Sequence, residues 1–461
     1  MVSVPSAPVT APRAKEALSR PEVAPEGAVS LQAPPMALQA EIPEAVDSAP
    51  TTVRHRVLAL TLALTAIAYL DRVCISTAAP AIKDELGISD AQMGYVFSAF
   101  TFAYAVFEVP SGWLADRFGA RLMLARIVVW WSAMTAATGL AGSFGALLAI
   151  RFLFGMGEAG TFPSMTRVYA RWLPARERGR AFGLALMTGA LGGAATQPLV
   201  VALLERIRWH HTFFVFGLVG LVWAVVWWWW FRDEPQLHPR VNPAEVAYIG
   251  SGAPITHTAV PWRALARSRP LIAVCAMYLF AIYGWYFYLT WLPTYLIRSG
   301  GFELSQVGWL SSLPLVSIAA GVLVGGWLSD ILARHWSLRT ARRLPGLVGF
   351  PLAAASILSA AYVGSPAASA ALIAAAAGLA ALGVSPAWAV CLDIGGRHSG
   401  VVSGAMNTFG NLGGTLCPIV VGWCLQAWGS WTASLASVAV CYVLAALCWL
   451  AIDPEAKIRE H

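Results

Sequence analysis

Long apolar stretches separated by short polar connections recur along the chain from Arg54 onward. An α-helix needs about 20 residues to cross the hydrocarbon core of a bilayer. The pattern therefore predicts an all-α integral membrane protein with twelve transmembrane helices, which fall at residues 57–79, 92–113, 122–142, 145–168, 180–203, 211–231, 270–297, 305–328, 345–364, 367–391, 400–425 and 431–452.

Two interruptions of this pattern divide the chain. Residues 1–52 are rich in Ala and Pro and lack a continuous apolar run, which predicts a disordered cytoplasmic tail. Residues 232–269 are proline-rich and polar, which predicts a cytoplasmic linker. The sequence thus predicts two six-helix bundles, at 53–231 and 270–453, followed by a short cytoplasmic tail at 454–461.

The two predicted bundles repeat one another. The motif GWLAD at residues 112–116 returns as GWLSD at residues 326–330. The small residues of the fifth and eleventh predicted helices also match: Gly183, Gly189, Gly192, Gly193 and Pro198 return as Gly404, Gly410, Gly413, Gly414 and Pro418. Glycines allow close approach of helix backbones in a bilayer, so the repeat has a packing reason.

Composition narrows the class of protein. Hydrophobic residues make up 58% of the chain and charged residues 12%, which excludes an ordinary soluble domain. The net charge of +7 does not indicate nucleic-acid binding, because Lys and Arg cluster on alternate connections between apolar stretches. This arrangement predicts that both termini face the cytoplasm. The seven cysteines occur singly, so no metal or cofactor is expected, and no pattern indicates an enzyme.

Charged residues inside the predicted helices mark a candidate site. Asp71 and Arg72 are adjacent in the first helix, where each charge costs at least about 2.5 to 3.5 kcal/mol. Arg151 and Glu158 are seven residues apart in the fourth helix and share one face. Similar depths in the bilayer predict that these two carboxylates and two guanidiniums meet near the midplane. A purely structural salt-bridge network remains the alternative.

Several motifs resemble those of a known family. The stretch from Gly112 to Arg121 resembles the signature loop of the major facilitator superfamily. Within this superfamily, further stretches resemble the anion:cation symporter family, which includes bacterial importers of galactonate, glucarate and hexuronate. These stretches are YLDR at 69–72, RFLFG at 151–155, WLPTY at 291–295 and NTFGNLGG at 407–414. The resemblance implies a monomeric symporter in the bacterial inner membrane that moves a small carboxylate and protons by alternating access.

The resemblance also implies roles for single residues. It makes Arg72 the ligand of a substrate carboxylate and Arg151 a partner that responds to occupancy. Asp71 and Glu158 are the expected proton-carrying groups. Other substrate contacts are expected from Tyr69, Tyr104, Ser385, Trp388 and Asn407. The signature loop is expected to form a cytoplasmic gate with Gly112, Asp116, Arg117, Gly119 and Arg121.

Alternatives remain open for substrate and class. The fifth helix offers no amide at residues 186–190, so an aromatic carboxylate or a small di- or tricarboxylate stands beside a sugar acid. A proton-driven exporter and a transporter-like sensor are the rival classes. Glu108, in the second helix, is either a third proton site or, as we favour, a gating or packing residue.

Overall fold

The computed structural model describes residues 49–250 and 262–456, which form only α-helices, two short 3-10 helices and connecting turns. The predicted tail at 1–52 and the end of the tail at 454–461 lie largely outside these residues. The α-helices, in chain order, are α1 Val53–Leu86, α2 Asp90–Phe118, α3 Ala120–Thr138, α4 Phe144–Glu158, α5 Thr161–Trp172, α6 Ala175–Leu204, α7 Trp209–Trp230, α8 Pro243–Ile249, α9 Trp262–Ala266, α10 Arg269–Thr290, α11 Leu292–Arg298, α12 Leu304–His335, α13 Leu338–Ala360, α14 Pro366–Ala381, α15 Val384–Gly395, α16 Ser399–Trp428 and α17 Trp431–Ala451.

The predicted all-α membrane architecture is confirmed. Nine helical segments in the described part of the chain are long and apolar enough to cross a membrane. Several helices extend beyond the predicted apolar stretches, because hydropathy locates the hydrocarbon core and not the polar turns that continue the helix. The count of twelve spanning helices stays a prediction.

Three predicted spans are interrupted helices. The fourth divides into α4 and α5 directly after Glu158, where Gly160 has φ +94°, a conformation that L side chains rarely adopt. The seventh divides at Trp291, and Pro293 lies in the first turn of α11. The tenth divides between α14 and α15 at Gly383. The first break leaves the Glu158 carboxylate at the end of a helix inside the molecule.

The short connections make successive long helices antiparallel and define two ends of the molecule. The terminal side is where α1 begins and α17 ends, and the far side is where α1 ends and α2 begins. Residues 53–230 pack mainly through α1 with α6, α2 with α4 and α3 with α7. Residues 262–451 pack mainly through α10 with α16, α13 with α17 and α12 with α14. We refer to these two sets as the first and second halves.

The halves meet closely near the far side, through α2 with α16 and α6 with α12. A Cβ added at Gly94 would overlap the Pro418 carbonyl group, and one at Gly308 would lie 2.9 Å from Cα of Pro198. Arg298 Nη1 also pairs with Asp90 across this side at 3.0 Å. The far side is therefore the closed end.

The described part of the linker is anchored to the first half by Glu245 of α8. Its fully buried carboxylate accepts hydrogen bonds from the backbone N–H groups of Arg54 at 3.0 Å and Val53 at 3.4 Å. Arg54 Nη1 pairs with it at 3.2 Å, and the Thr51 hydroxyl donates to it. Thr52 itself provides no side-chain cap for α1. The linker carboxylate thus satisfies the exposed N–H groups at the start of α1.

Glu245→Gln is expected to lower the free energy of unfolding by at least about 2 kcal/mol, because it removes the charge from a buried pair. Glu177 remains 3.9 Å from Arg54 and limits the loss. Thermal unfolding of the purified protein measures the effect. Glu234→Gln is the matched control, since its pair with Arg171 joins side chains that are 39% and 43% exposed. Equal unfolding temperatures for the two variants would contradict the anchoring role.

Candidate functional site

An ion pair joins α1 to the break between α4 and α5. Arg72 Nε donates to Glu158 Oε1 at 2.7 Å, and Arg72 Nη2 lies 2.6 Å from the same oxygen. The Arg72 side chain is 12% exposed, whereas Glu158 is fully buried. Within the described chain, Glu158 Oε2 has no hydrogen-bond partner. Water therefore reaches the guanidinium, and the carboxylate lies behind it.

Three aromatic rings surround the Arg72 guanidinium. Its Cζ lies 5.0 Å from the ring of Tyr104, 5.1 Å from that of Phe100 and 5.4 Å from that of Tyr69. Rings at this distance stabilise a planar cation. The Tyr104 hydroxyl is buried and has no hydrogen-bond partner among the described residues. Tyr69 and Tyr104, both predicted substrate contacts, therefore lie beside the predicted carboxylate ligand.

Arg151 is buried in the same region without a direct ion pair to any described carboxylate. It is 2% exposed, and its Cζ lies 4.5 Å from the ring of Phe154 and 5.2 Å from that of Phe100. Its Nε has no hydrogen-bond partner in the described residues. Asp71, Arg72 and Glu158 all lie close enough to act on it electrostatically. The charged groups form one cluster, but the structure joins only Arg72 and Glu158 directly.

Asp71 points away from Arg72 into the first half. It is fully buried, and in the described structure neither of its carboxylate oxygens has a hydrogen-bond partner. The polar groups that face it include the Thr135 hydroxyl and the Trp131 indole of α3. Neighbouring positions on an α-helix are separated by about 100°, so adjacent side chains cannot share a direction. Asp71 is thus placed behind Arg72, between α1, α3 and α4.

Asn407 of α16 reaches the first half through Glu108 of α2. Its Nδ2 donates to Glu108 Oε1 at 2.9 Å and to Oε2 at 3.1 Å. One helical turn further along α16, the Asn411 Nδ2 is buried and lacks a hydrogen-bond partner within the described residues. The two amides lie on one helix face, because their positions differ by four residues.

The remaining predicted contacts of the second half have partners in their own half. The Ser385 hydroxyl donates to the Val322 carbonyl oxygen at 2.7 Å. Trp388 Nε1 donates to the Tyr278 hydroxyl at 3.2 Å, and the two rings are edge to face at 6.2 Å. In the first half, Gln197 of α6 is the amide that could replace the missing one at residues 186–190. It is buried, and its carbonyl oxygen accepts a hydrogen bond from Thr77.

The predicted gate residues lie at the terminal side. Gly119, with φ +83°, packs against Asp233, whose Oδ1 accepts from the Arg121 N–H at 3.0 Å. Arg121 Nη2 donates to the Trp228 carbonyl oxygen at 2.5 Å, and Arg117 is exposed beside the Trp113 ring. Gly112 packs on Pro163, and the side chain of Asp116 lies outside the described structure. These described contacts join the loop to its own half, which agrees with an open terminal side.

The structure adds four residues that the sequence reasoning did not assign to the site. Thr135 and Trp131 line the surroundings of Asp71, and the signal for them was a pair of polar groups inside an apolar helix. Asn411 has a clearer signal, since it follows Asn407 by one turn. Glu108 was noticed for its charge, but its partner in the other half could not be read from sequence.

Comparison with families and curated proteins gives a consistent assignment. Residues 61–418 match the model of the Major Facilitator Superfamily. The chain is 36% identical over 385 residues to a probable sulfoacetate transporter of Cupriavidus necator, with 82% of this chain and 89% of that protein covered. It is 34% identical over 435 residues to a probable galactarate/D-glucarate transporter of Bacillus subtilis, with coverages of 87% and 92%. A D-galactonate transporter of Escherichia coli O6:H1 is 31% identical over 422 residues, with coverages of 88% and 96%.

A solved structure has the same fold. A bacterial homologue of the human lysosomal transporter Spinster, in an inward-facing and unoccupied conformation, matches with a TM-score of 0.74. The match covers 89% of this chain and 99% of that chain at 21% sequence identity. At this identity the likeness concerns the fold alone.

Proposed function

We propose, on the premise that this chain belongs to the Major Facilitator Superfamily, that it is a secondary active transporter that imports a small organic anion together with protons. Its family and its curated relatives are transporters and not enzymes. A sugar acid such as a hexonate, glucarate or hexuronate is the first substrate class, because relatives at 31% and 34% identity are named for galactonate and for galactarate or glucarate.

The observation that supports this proposal best is the asymmetric exposure of the Arg72–Glu158 pair. A substrate carboxylate reaches the guanidinium from the side where Arg72 is 12% exposed and competes there with Glu158. A guanidinium binds a carboxylate through two parallel hydrogen bonds, so the substrate can replace Glu158 as its partner. Glu158 is fully buried and then loses its directly bonded counter-ion, which favours its protonation. Substrate and proton are thereby taken up together.

The same reasoning gives the remaining residues their proposed roles. The unpaired Tyr104 hydroxyl and the Asn411 amide face the region between the halves and supply hydrogen bonds to substrate oxygens. Asp71 is the second proton-carrying group, since a buried carboxylate without a hydrogen bond is costly when ionised. With both termini in the cytoplasm, the closed far side makes the structure inward-facing. Alternation then requires the halves to part at the far side and to close at the terminal side.

Uptake into proteoliposomes tests the proposal. Radiolabelled galactonate, glucarate, glucuronate and an aromatic acid are compared with and without an inward proton gradient. We expect one acid to accumulate only when the gradient is present, and a protonophore to abolish the accumulation. Transport that ignores the gradient, or binding of an acid without transport, would reject symport and favour an exporter or a sensor.

A small anion that carries two charged groups but no sugar hydroxyl groups is the second candidate. A relative at 36% identity is named for sulfoacetate. The observation that favours this class is the absence of an amide at residues 186–190 of α6, together with the full burial of Gln197, whose carbonyl oxygen accepts from Thr77. Competition by unlabelled sulfoacetate and glucarate against the transported acid separates the two classes, because the true substrate class competes at the lower concentration.

A further inference from the structure

A series of polar contacts joins α2 to α16 from the far side to one helical turn past Tyr104 of the candidate site. From the far side inward, Ser89 bonds to Gln426, Ser98 Oγ donates to the Thr415 carbonyl oxygen at 2.6 Å, and Thr415 Oγ1 bonds to Thr101 Oγ1 at 3.0 Å. The bond from Asn407 to Glu108 is the innermost of the series and the one that includes a carboxylate. It therefore closes the contact between the halves at the edge of the site.

The charges at this point are unbalanced. Two guanidiniums, Arg72 and Arg151, face two carboxylates in the cluster described above, and Glu108 adds a third carboxylate. The titratable and charged groups that face Glu108 are Arg72 from α1, Tyr104 from α2, and Tyr278 and Tyr286 from α10, together with the uncharged Asn407 from α16. The only cation in this set, Arg72, is already paired with Glu158. When Asp71 and Glu158 are also ionised, an ionised Glu108 thus gives the described site a net negative charge.

This excess charge opposes a negatively charged substrate. Ionised Glu108 is a stronger hydrogen-bond acceptor for the Asn407 amide than the neutral carboxyl group is. An entering anion would be repelled by ionised Glu108 and would find the Asn407 amide occupied. Protonation removes the repulsion and weakens the hold on the amide at the same time.

We propose that Glu108 is a proton-controlled positioning residue for Asn407. Ionised Glu108 holds the Asn407 amide between the halves, and protonated Glu108 releases it to an oxygen of the bound anion. This adds one linked proton to those of Asp71 and Glu158. The inference rests on the proposed function, since it concerns the same anion site.

The pH dependence of binding tests it. The dissociation constant of the wild type is measured between about pH 5.5 and pH 8 for glucarate, galactonate and sulfoacetate, and the acid that binds is used for the variants. Each linked proton weakens binding about tenfold per unit of pH above the range where it is bound. We expect Glu108→Gln to reduce the slope of log Kd against pH by about one and to bind at least about tenfold more tightly at the alkaline end.

Matched variants separate this linkage from a structural effect. Asn407→Ala removes the amide that Glu108 holds but keeps the charge that repels the anion. It is therefore expected to weaken binding and to reduce the slope by less than Glu108→Gln does, and Glu108→Asp is expected to keep the wild-type slope. Glu205→Gln, an exposed change at the end of α6, should alter neither. Melting temperatures confirm that each variant is folded. An unchanged slope in Glu108→Gln, with binding by the wild type intact, overturns the inference. Absence of binding of every acid to the wild type overturns the proposed function instead, and the inference with it.

Discussion

Glu158→Gln is expected to lower proton-driven accumulation of the transported acid while leaving exchange of that acid across the membrane. In the wild type, Arg72 Nε donates to Glu158 Oε1 at 2.7 Å, and the glutamine oxygen of the variant can still accept this hydrogen bond. It cannot take up a proton when the substrate claims the guanidinium, so the cycle loses one coupled proton. Because one pH unit corresponds to about 1.4 kcal/mol, the accumulation ratio should fall about tenfold for each unit of gradient.

Parallel assays in proteoliposomes measure this effect. Net uptake driven by an acid exterior reports coupling, and counterflow at equal pH reports substrate exchange. Glu303→Gln, which alters a carboxylate at the start of α12 on the far side, is expected to behave as the wild type in both assays. Unchanged accumulation in Glu158→Gln would remove Glu158 from the coupling mechanism, and loss of counterflow would show that it is needed for binding.

Arg72→Lys is expected to weaken substrate binding by about 2 to 3 kcal/mol, or about 30- to 150-fold in Kd. The guanidinium lies within 5.4 Å of three aromatic ring centres, a setting that suits a flat, delocalised cation. An ammonium group retains the charge but loses the paired hydrogen bonds to a carboxylate. The substitution therefore tests geometry separately from charge.

Equilibrium binding of the labelled acid measures the loss for Arg72→Lys. Arg206→Lys is the matched control, since Arg206 is exposed after the end of α6. A melting temperature near that of the wild type is required before the binding result is used. Wild-type affinity in Arg72→Lys would mean that the substrate is held elsewhere, and the Arg72–Glu158 pair would then be purely structural.

The sequence predicted that four charged side chains meet, but it could not predict which of them pair and which point away from the pair. Helical spacing alone indicates that Asp71 and Arg72 point in different directions, because they are neighbours. It does not say which helix receives each side chain. That depends on the packing of α3, which brings Thr135 and Trp131 toward Asp71. The roles of these residues as substrate and proton sites remain predictions.

The breaks within the helices could not be predicted from hydropathy, for a different reason. An average over about 20 residues registers the apolar content of a span and is insensitive to a single backbone conformation. Gly160 and Gly383 interrupt two spans at matching places in the two repeats, and neither break changes the apolar content. Glu108 and Asn407 are 299 positions apart, so their contact depends on how the halves dock and not on any local pattern.

The two close contacts at the far side have a consequence for how the chain can evolve. Gly94 lies against Pro418, and Gly308 lies against Pro198. The partners are exchanged between the repeats, because each glycine of one half faces the proline of the other. A methyl group gained at either glycine would meet backbone atoms of the opposite half, which no substitution there can remove. Each glycine is therefore constrained by the backbone of the other repeat, and a side chain at either position would force the two halves apart at the closed end.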